Sequence, residues 1–357
     1  MNVLGYKNMQ GIVFLGNRQC EVREFPIPEP GDGEVLIRIQ ATGICGSDLH
    51  LYRAVTGSDL IRGHEVSGVV EQVGANVTRL KPGDRVSVHH HIGCGKCAFC
   101  ASGEVVACPN DRVVGGNVPG SFSEFVVAME RSCIPLPDSV SFIDGVFMAC
   151  VGCTAFGALR RLNARAHDSL AVFGLGPVGL SCVVVAKAMG LRVVGVDIIP
   201  ERVALAQKCG ADEVITASKR SSESELECVI NSVREFSRLT DVDYVAGVDH
   251  VIETSGSSNG RRSILGSLRR GGAAAIVGVG SDEEVINPSD IHGKATTLIG
   301  SVVFPLGWSW DFAKFLVASG LSFEPLVTHR YTLDDAEIAL RTADEGRCGK
   351  VIFQANL

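Results

Sequence analysis

The chain has 357 residues, 46% of them hydrophobic, and a net charge of −7. This length suggests two domains or one with a large insertion, and an acidic balance without any basic stretch excludes a protein that tracks a phosphate backbone. No apolar run reaches bilayer length, the opening MNVLGYKNMQG has no signal pattern, and the 13 cysteines are odd in number, so a reducing, cytoplasmic setting is expected, with neither membrane nor nucleic acid as partner.

Residues 34–42 (EVLIRIQAT) alternate apolar and polar and predict a strand. Residues 66–73 predict a second, Lys81-Pro82-Gly83-Asp84 a turn, and 85–88 a third strand. Short strands broken by Gly and Pro suggest a barrel-like or sheet domain to about residue 150. From 169 the pattern changes. Strands are predicted at 169–173, 192–196, 213–215, 248–252, 273–278 and 297–300, and helices at 177–189, 201–210 and 223–239. Such alternation builds a parallel sheet. Near residue 300 it stops, and the tail, a helix at 312–319 followed by 324–330, is expected to return to the first domain.

Within the first, β-rich segment lie four cysteines, Cys94, Cys97, Cys100 and Cys108, spaced C-x2-C-x2-C-x7-C and expected as a loop excursion from it. Thiolates at this spacing can close a tetrahedral Zn²⁺ site within one stretch of chain. With no open position, such a site builds structure and performs no chemistry. Three other fragments offer mixed donors: Cys45, Ser47, Asp48 and His50 in GICGSDLH; His64 beside Glu65; and Cys150 and Cys153 just before Thr154. Ligands of mixed chemistry from separated segments are what an open, catalytic zinc uses.

Gly174-Leu175-Gly176-Pro177-Val178-Gly179 follows a predicted strand and opens a predicted helix. In that context the first Gly permits a tight turn, the second lets the backbone approach a pyrophosphate, and the third allows close helix packing. Pro177 suits the first helical turn. Asp197, ending the next strand, can accept from both ribose hydroxyls and would repel a 2′-phosphate, which favours NAD over NADP.

Gly63-His64-Glu65-Val66-Ser67-Gly68, continuing to Gly74, together with the cysteine lobe, the glycine turn and Gly349-Lys350-Val351, resembles the zinc-dependent alcohol dehydrogenases of the medium-chain dehydrogenase/reductase superfamily. The resemblance covers essentially the whole chain and is nearest the polyol and threonine dehydrogenase branch. It implies an α/β chain: a Rossmann doubly wound parallel-sheet domain plus a β-rich GroES-like catalytic domain. The expected boundaries are 1–152 for the catalytic domain with its lobe at about 89–110, 153–300 for the NAD-binding domain, and 301–357 for the return. It also implies two Zn²⁺, one catalytic and one structural, with NAD as the second cofactor.

By the same resemblance Cys45 and His64 are ligands of the catalytic zinc. Glu65 is a ligand or an alternating carboxylate behind them. Cys150 sits where one branch has its third protein ligand, whereas polyol and threonine dehydrogenases carry a carboxylate near that place. The set stays open between Cys45/His64/Cys150 and Cys45/His64/Glu65, with Cys153 a rival thiol. Asp48 fixes the His64 ring, Ser47 takes the alcohol proton, His50 passes it to solvent, and Thr154 lies against the nicotinamide. Arg202 contacts the adenosine ribose, Lys350 the pyrophosphate, and Val277 the cofactor. The implied reaction transfers hydride between NAD and a secondary alcohol (polyol, diol, amino alcohol or cyclic alcohol), giving the ketone, in a homodimer or homotetramer. A reductase of enones or quinones and a non-enzymatic nucleotide-binding relative are the alternatives. His89, His90 and His91 either offer polar contacts to a second hydroxyl or amine of the substrate or form a solvated, structural run.

Overall fold

A computed structural model of the chain describes residues 7–219, 221–237, 246–280 and 286–355. Two compact units emerge: Met1–Cys153 with Val303–Leu357, and Thr154–Val302.

The first unit is organised by the strand Glu34–Gly43, whose alternation buries Val35, Ile37 and Ile39. It pairs antiparallel with Glu65–Val73 and, over different parts of its length, with Phe125–Met129 and Lys350–Gln354. Gly43 is the register partner of both Glu65 and Ile352, so the last strand of the chain lies beside the third. β-Branched side chains (Val66, Val70, Val86, Val88, Val126) fill the core, as a pleated, half-buried surface favours. The hairpin Asn8–Gly16/Gln19–Pro26 turns on Asn17 and Arg18, both at positive φ.

The second unit holds a six-stranded parallel sheet. Its order is Glu213–Thr216, Arg192–Asp197, Ser169–Phe173, Val248–Glu253, Leu268–Ile276, Thr297–Gly300. Numbered along the chain this is 3-2-1-4-5-6, the doubly wound order whose ligands gather beyond the carboxyl ends of the strands. The expected α/β class, one Rossmann sheet and one β-rich unit, is the class observed. The strands predicted at 85–88, 169–173 and 297–300 match to the residue. The helix predicted at 223–239 runs Glu223–Phe236, and its last two expected residues fall outside the described ones. Among the described residues no single helix is long and apolar enough to cross a membrane.

Candidate metal centre and nucleotide turn

The first unit brings Cys45, His64, Glu65 and Cys150 together: one donor atom from each lies within 4.8 Å of the others, and all four residues are buried. Each is placed by backbone geometry. Cys45 is the N-cap of the helix Gly46–Arg53, where the helix end favours a thiolate. His64 and Glu65 enter the strand Glu65–Val73 behind Gly63, whose φ of +86° turns the chain there. Cys150 occupies the break between the helices Phe142–Ala149 and Val151–Arg161. Cys153 is wholly buried and stands outside the cluster.

Asp48 does two things. Its Oδ2 accepts from Cys45 N at 2.8 Å, and its Oδ1 lies 3.1 Å from His64 Nδ1. The carboxylate therefore fixes the ring with Nδ1 protonated and leaves Nε2 for a metal. Ser47 and His50, three positions apart on the same helix, are both exposed, an arrangement suited to handing a proton outward.

Lys350 requires a correction. Expected at a pyrophosphate, it is instead fully buried, with Nζ 2.7 Å from Glu65 Oε1 and 2.9 Å from Ile44 O. Glu65 Oε2 stands 2.6 Å from the same ammonium but outside hydrogen-bonding geometry, so that oxygen has no donor. Gly43 makes the pair possible: a Cβ there would fall 2.1 Å from Glu65 Oε2 and 2.5 Å from Lys350 Cε. Nothing local in the sequence marks the lysine as buried.

Electrostatics follow from this crowding. The hydrogen bond from Cys150, and then the His64 imidazole, push the Cys45 thiol well below its ordinary value, while burial opposes them. Cys150 is correspondingly raised, by that hydrogen bond and by burial. Burial lifts Glu65 to about 7 against the pull of Lys350. Burial disfavours a charge on His64, yet Asp48 and Cys45 together raise it. Two thiols, an imidazole and a carboxylate oxygen lacking a donor, all withdrawn from water, are a donor set that a soft-to-borderline dication such as Zn²⁺ neutralises.

His90 packs on this cluster, its ring centroid 4.8 Å from that of His64, and burial with the neighbouring imidazoles holds it well below its usual range. His89 and His91 are committed elsewhere, to Phe304 O and to Asp111.

Cys94, Cys97, Cys100 and Cys108 form the second donor group, with Sγ–Sγ distances of 3.5 Å for Cys97–Cys100, 3.7 Å for Cys97–Cys108 and 4.0 Å for Cys94–Cys100. Four thiols at these separations suit a closed tetrahedral zinc. Arg131 ties the lobe down by donating to Gly93 O at 2.6 Å.

In the second unit the predicted nucleotide residues share the carboxyl edge of the sheet. Gly174 has φ +91°, and a Cβ there would strike Ser255 N at 2.7 Å. A Cβ on Gly179 would lie 1.8 Å from Gly174 O, so that glycine allows the helix to press on the turn. Gly176 faces open space apart from the Arg202 guanidinium. The helix Pro177–Ala188 begins there with no side-chain cap, and Pro177 and Val178 are half-buried in its first turn, which leaves backbone N–H groups for an anion. Asp197 is buried, accepting from Leu175 N at 2.5 Å and Ile199 N at 2.9 Å, with Arg202 3.8 Å away. Val277 follows the strand Leu268–Ile276 at the same edge. Thr154 is buried and is the first residue of this unit.

Two family descriptions match the chain, an alcohol dehydrogenase GroES-like domain over residues 31–138 and a zinc-binding dehydrogenase over 177–317. An L-threonine 3-dehydrogenase from Rhizobium etli is 32% identical, covering 93% of this chain and 94% of that protein. A sorbitol dehydrogenase from Bacillus subtilis is 30% identical, covering 98% of both. Among solved structures, an Escherichia coli alcohol dehydrogenase complexed with NADH superposes with a TM-score of 0.86 at 25% identity, covering 98% of this chain and 100% of that one.

Proposed function

We propose that this chain, which belongs to the zinc-dependent alcohol dehydrogenases of the medium-chain dehydrogenase/reductase superfamily, oxidises a secondary alcohol to a ketone at Cys45, His64 and Cys150, with NAD as hydride acceptor. The observation that carries the reading is the buried quartet Cys45, His64, Glu65 and Cys150. The pairing of Glu65 with Lys350 supports Cys45, His64 and Cys150 as the protein ligands, with Glu65 held behind them and a fourth position for substrate.

When bound, zinc supplies Lewis acidity to the alcohol hydroxyl, and NAD supplies the electron acceptor. The chain's own groups do the rest. Asp48 holds His64 in one tautomer. Ser47 accepts the hydroxyl proton and His50 carries it to solvent. The glycine turn and the first turn of the helix Pro177–Ala188 hold the pyrophosphate, Asp197 and Arg202 the ribose, Val277 the cofactor's edge, and Thr154 the nicotinamide. Cys94, Cys97, Cys100 and Cys108 would hold the structural zinc, which would tie that segment together.

Six of the 13 cysteines lie in two clusters that fit metal, which supports a reducing, cytoplasmic location. Thr297–Gly300 closes one edge of the parallel sheet, and an edge of that kind supports a homodimer or homotetramer.

The test is NADH formation by zinc-loaded protein over sugar alcohols, vicinal diols, threonine, simple secondary alcohols and cyclic alcohols, each with NAD⁺ and NADP⁺. Turnover with NAD⁺ and a secondary alcohol is expected. Turnover of none of them would reject the reading, and preference for NADP⁺ would reject the role of Asp197.

A further inference from the structure

One cavity of the first unit takes no part in the reaction derived above. It encloses about 500 Å³ between the strands Asn8–Gly16, Glu34–Gly43 and Lys350–Gln354, the turn Leu333–Asp335 and the segment 123–125. None of Cys45, His64, Glu65 and Cys150 lines it. A volume of this size holds a small organic molecule.

The lining divides by chemistry. Buried Phe125 and Phe353 and half-buried Leu333 supply apolar surface, and Glu124 and Asp334 are exposed. Gln10 joins the two carboxylates: its backbone N–H donates to Glu124 Oε2 at 2.7 Å and its Nε2 to Asp334 Oδ1 at 2.9 Å. Among the described residues neither carboxylate has a cation partner, and Glu124 Oε1 and Asp334 Oδ2 accept from nothing. Arg38 also lines the cavity, but its Nε lies 3.0 Å from Glu71 Oε2, which meets its charge. The cavity therefore carries uncompensated negative charge. Two half-buried amides complete it. The Arg330 guanidinium can only donate, so the Gln354 atom it meets at 3.0 Å is Oε1, and Gln354 Nε2 is left as a donor. Gln40 Nε2 makes a long 3.5 Å bond to Ile39 O, and its Oε1 accepts from no described residue.

We propose that this cavity is a second ligand site, for a small organic cation. A primary ammonium sits at Glu124 and Asp334, a short aliphatic body lies against Leu333 and Phe353, and a neutral polar group such as an amide meets Gln40 and Gln354. The two free carboxylate oxygens exclude an anion, and the apolar surface beside them favours an organic ligand over a hydrated metal ion. The proposal stands apart from the alcohol-oxidising reading, because it uses none of the residues of the metal centre.

The test is a binding measurement. Zinc-loaded protein is titrated in a calorimeter with N-acetylputrescine, which joins one ammonium to an amide by a short methylene chain, and with N,N′-diacetylputrescine, which has no charge. Neither is an alcohol. The first should bind about fivefold to tenfold more tightly, the worth of one charged hydrogen bond at an exposed carboxylate, and added salt should narrow the gap. Glu124→Gln/Asp334→Asn, which keeps an oxygen for each bond from Gln10, should bring the ratio near one. Cys45→Ser, which removes a donor from the metal centre, should bind N-acetylputrescine undiminished.

Equal binding of the two compounds by the unaltered protein, or binding of neither, would overturn the proposal, and this comparison stands even if the double variant does not fold. An unchanged ratio in the folded double variant would overturn it too. Loss of binding in Cys45→Ser would assign the amine to the catalytic metal instead and sink the second site. Each of these failures leaves the alcohol dehydrogenase reading intact.

Discussion

Lys350 Nζ stands 2.7 Å from Glu65 Oε1 across 285 residues of sequence, and neither side chain has any exposed surface. Gly43, the register partner of Glu65 and next to Ile44 whose carbonyl also binds the ammonium, leaves the space in which they meet. The pair sets where the carboxylate sits relative to Cys45, His64 and Cys150.

Removing one partner of a buried ion pair strands the other charge. Lys350→Met should therefore cost about 3–5 kcal/mol in urea unfolding. The double variant Glu65→Gln/Lys350→Met should recover part of that loss. If it were as unstable as Lys350→Met, the two side chains would not be energetically coupled.

Asp48→Asn keeps an oxygen for one partner but puts an amide donor where the other needs an acceptor. Loss of such a partner weakens metal retention roughly 10- to 100-fold. Transfer of zinc to a chelator should show one of two zincs leaving faster, with the lobe zinc unchanged. Equal acceleration of both would place Asp48 outside the centre.

Cys100→Ser removes one thiolate from the lobe. Native mass spectrometry should count one zinc per chain in place of two, with a lower Tm. Two zincs retained would contradict a four-thiolate site.

Burial holds His89 down to about 4 from an ordinary 6.5. Between those values the unfolded chain binds the proton that the folded one refuses, so stability is full above pH 6.5 and falls as pH drops toward 4. Tm measured from pH 7 to pH 5 should decline less in His89→Gln than in the unaltered protein. Parallel declines would assign the acid sensitivity to other groups.

Much of this is legible in the sequence, for local reasons. Ser169–Phe173 is bounded by Asp168 and Gly174, and its run of apolar residues marks a buried strand. The cysteine lobe is legible because its donors are near one another in the chain. The hairpin Asn8–Gly16/Gln19–Pro26 is not, because Asn17-Arg18 takes positive φ without a glycine to signal it. The strand Leu268–Ile276 begins five residues before the expected 273, through Arg269, Arg270, Gly271 and Gly272, a stretch whose composition argues against a strand. The environment of Lys350 is invisible for a deeper reason. It arises from the adjacency of the third and last strands of the sheet, which no local pattern encodes. The different fates of the three histidines are tertiary in the same way, fixed by Phe304, Ala149 and Asp111.

The most direct test of the central claim compares the unaltered protein with Cys45→Ser for zinc content and for NADH formation from 2,3-butanediol and NAD⁺. The account predicts two zincs and steady turnover in the first, and one zinc, a folded lobe and no turnover in the second. Undiminished turnover in Cys45→Ser, or turnover in unaltered protein holding only the lobe zinc, would contradict it.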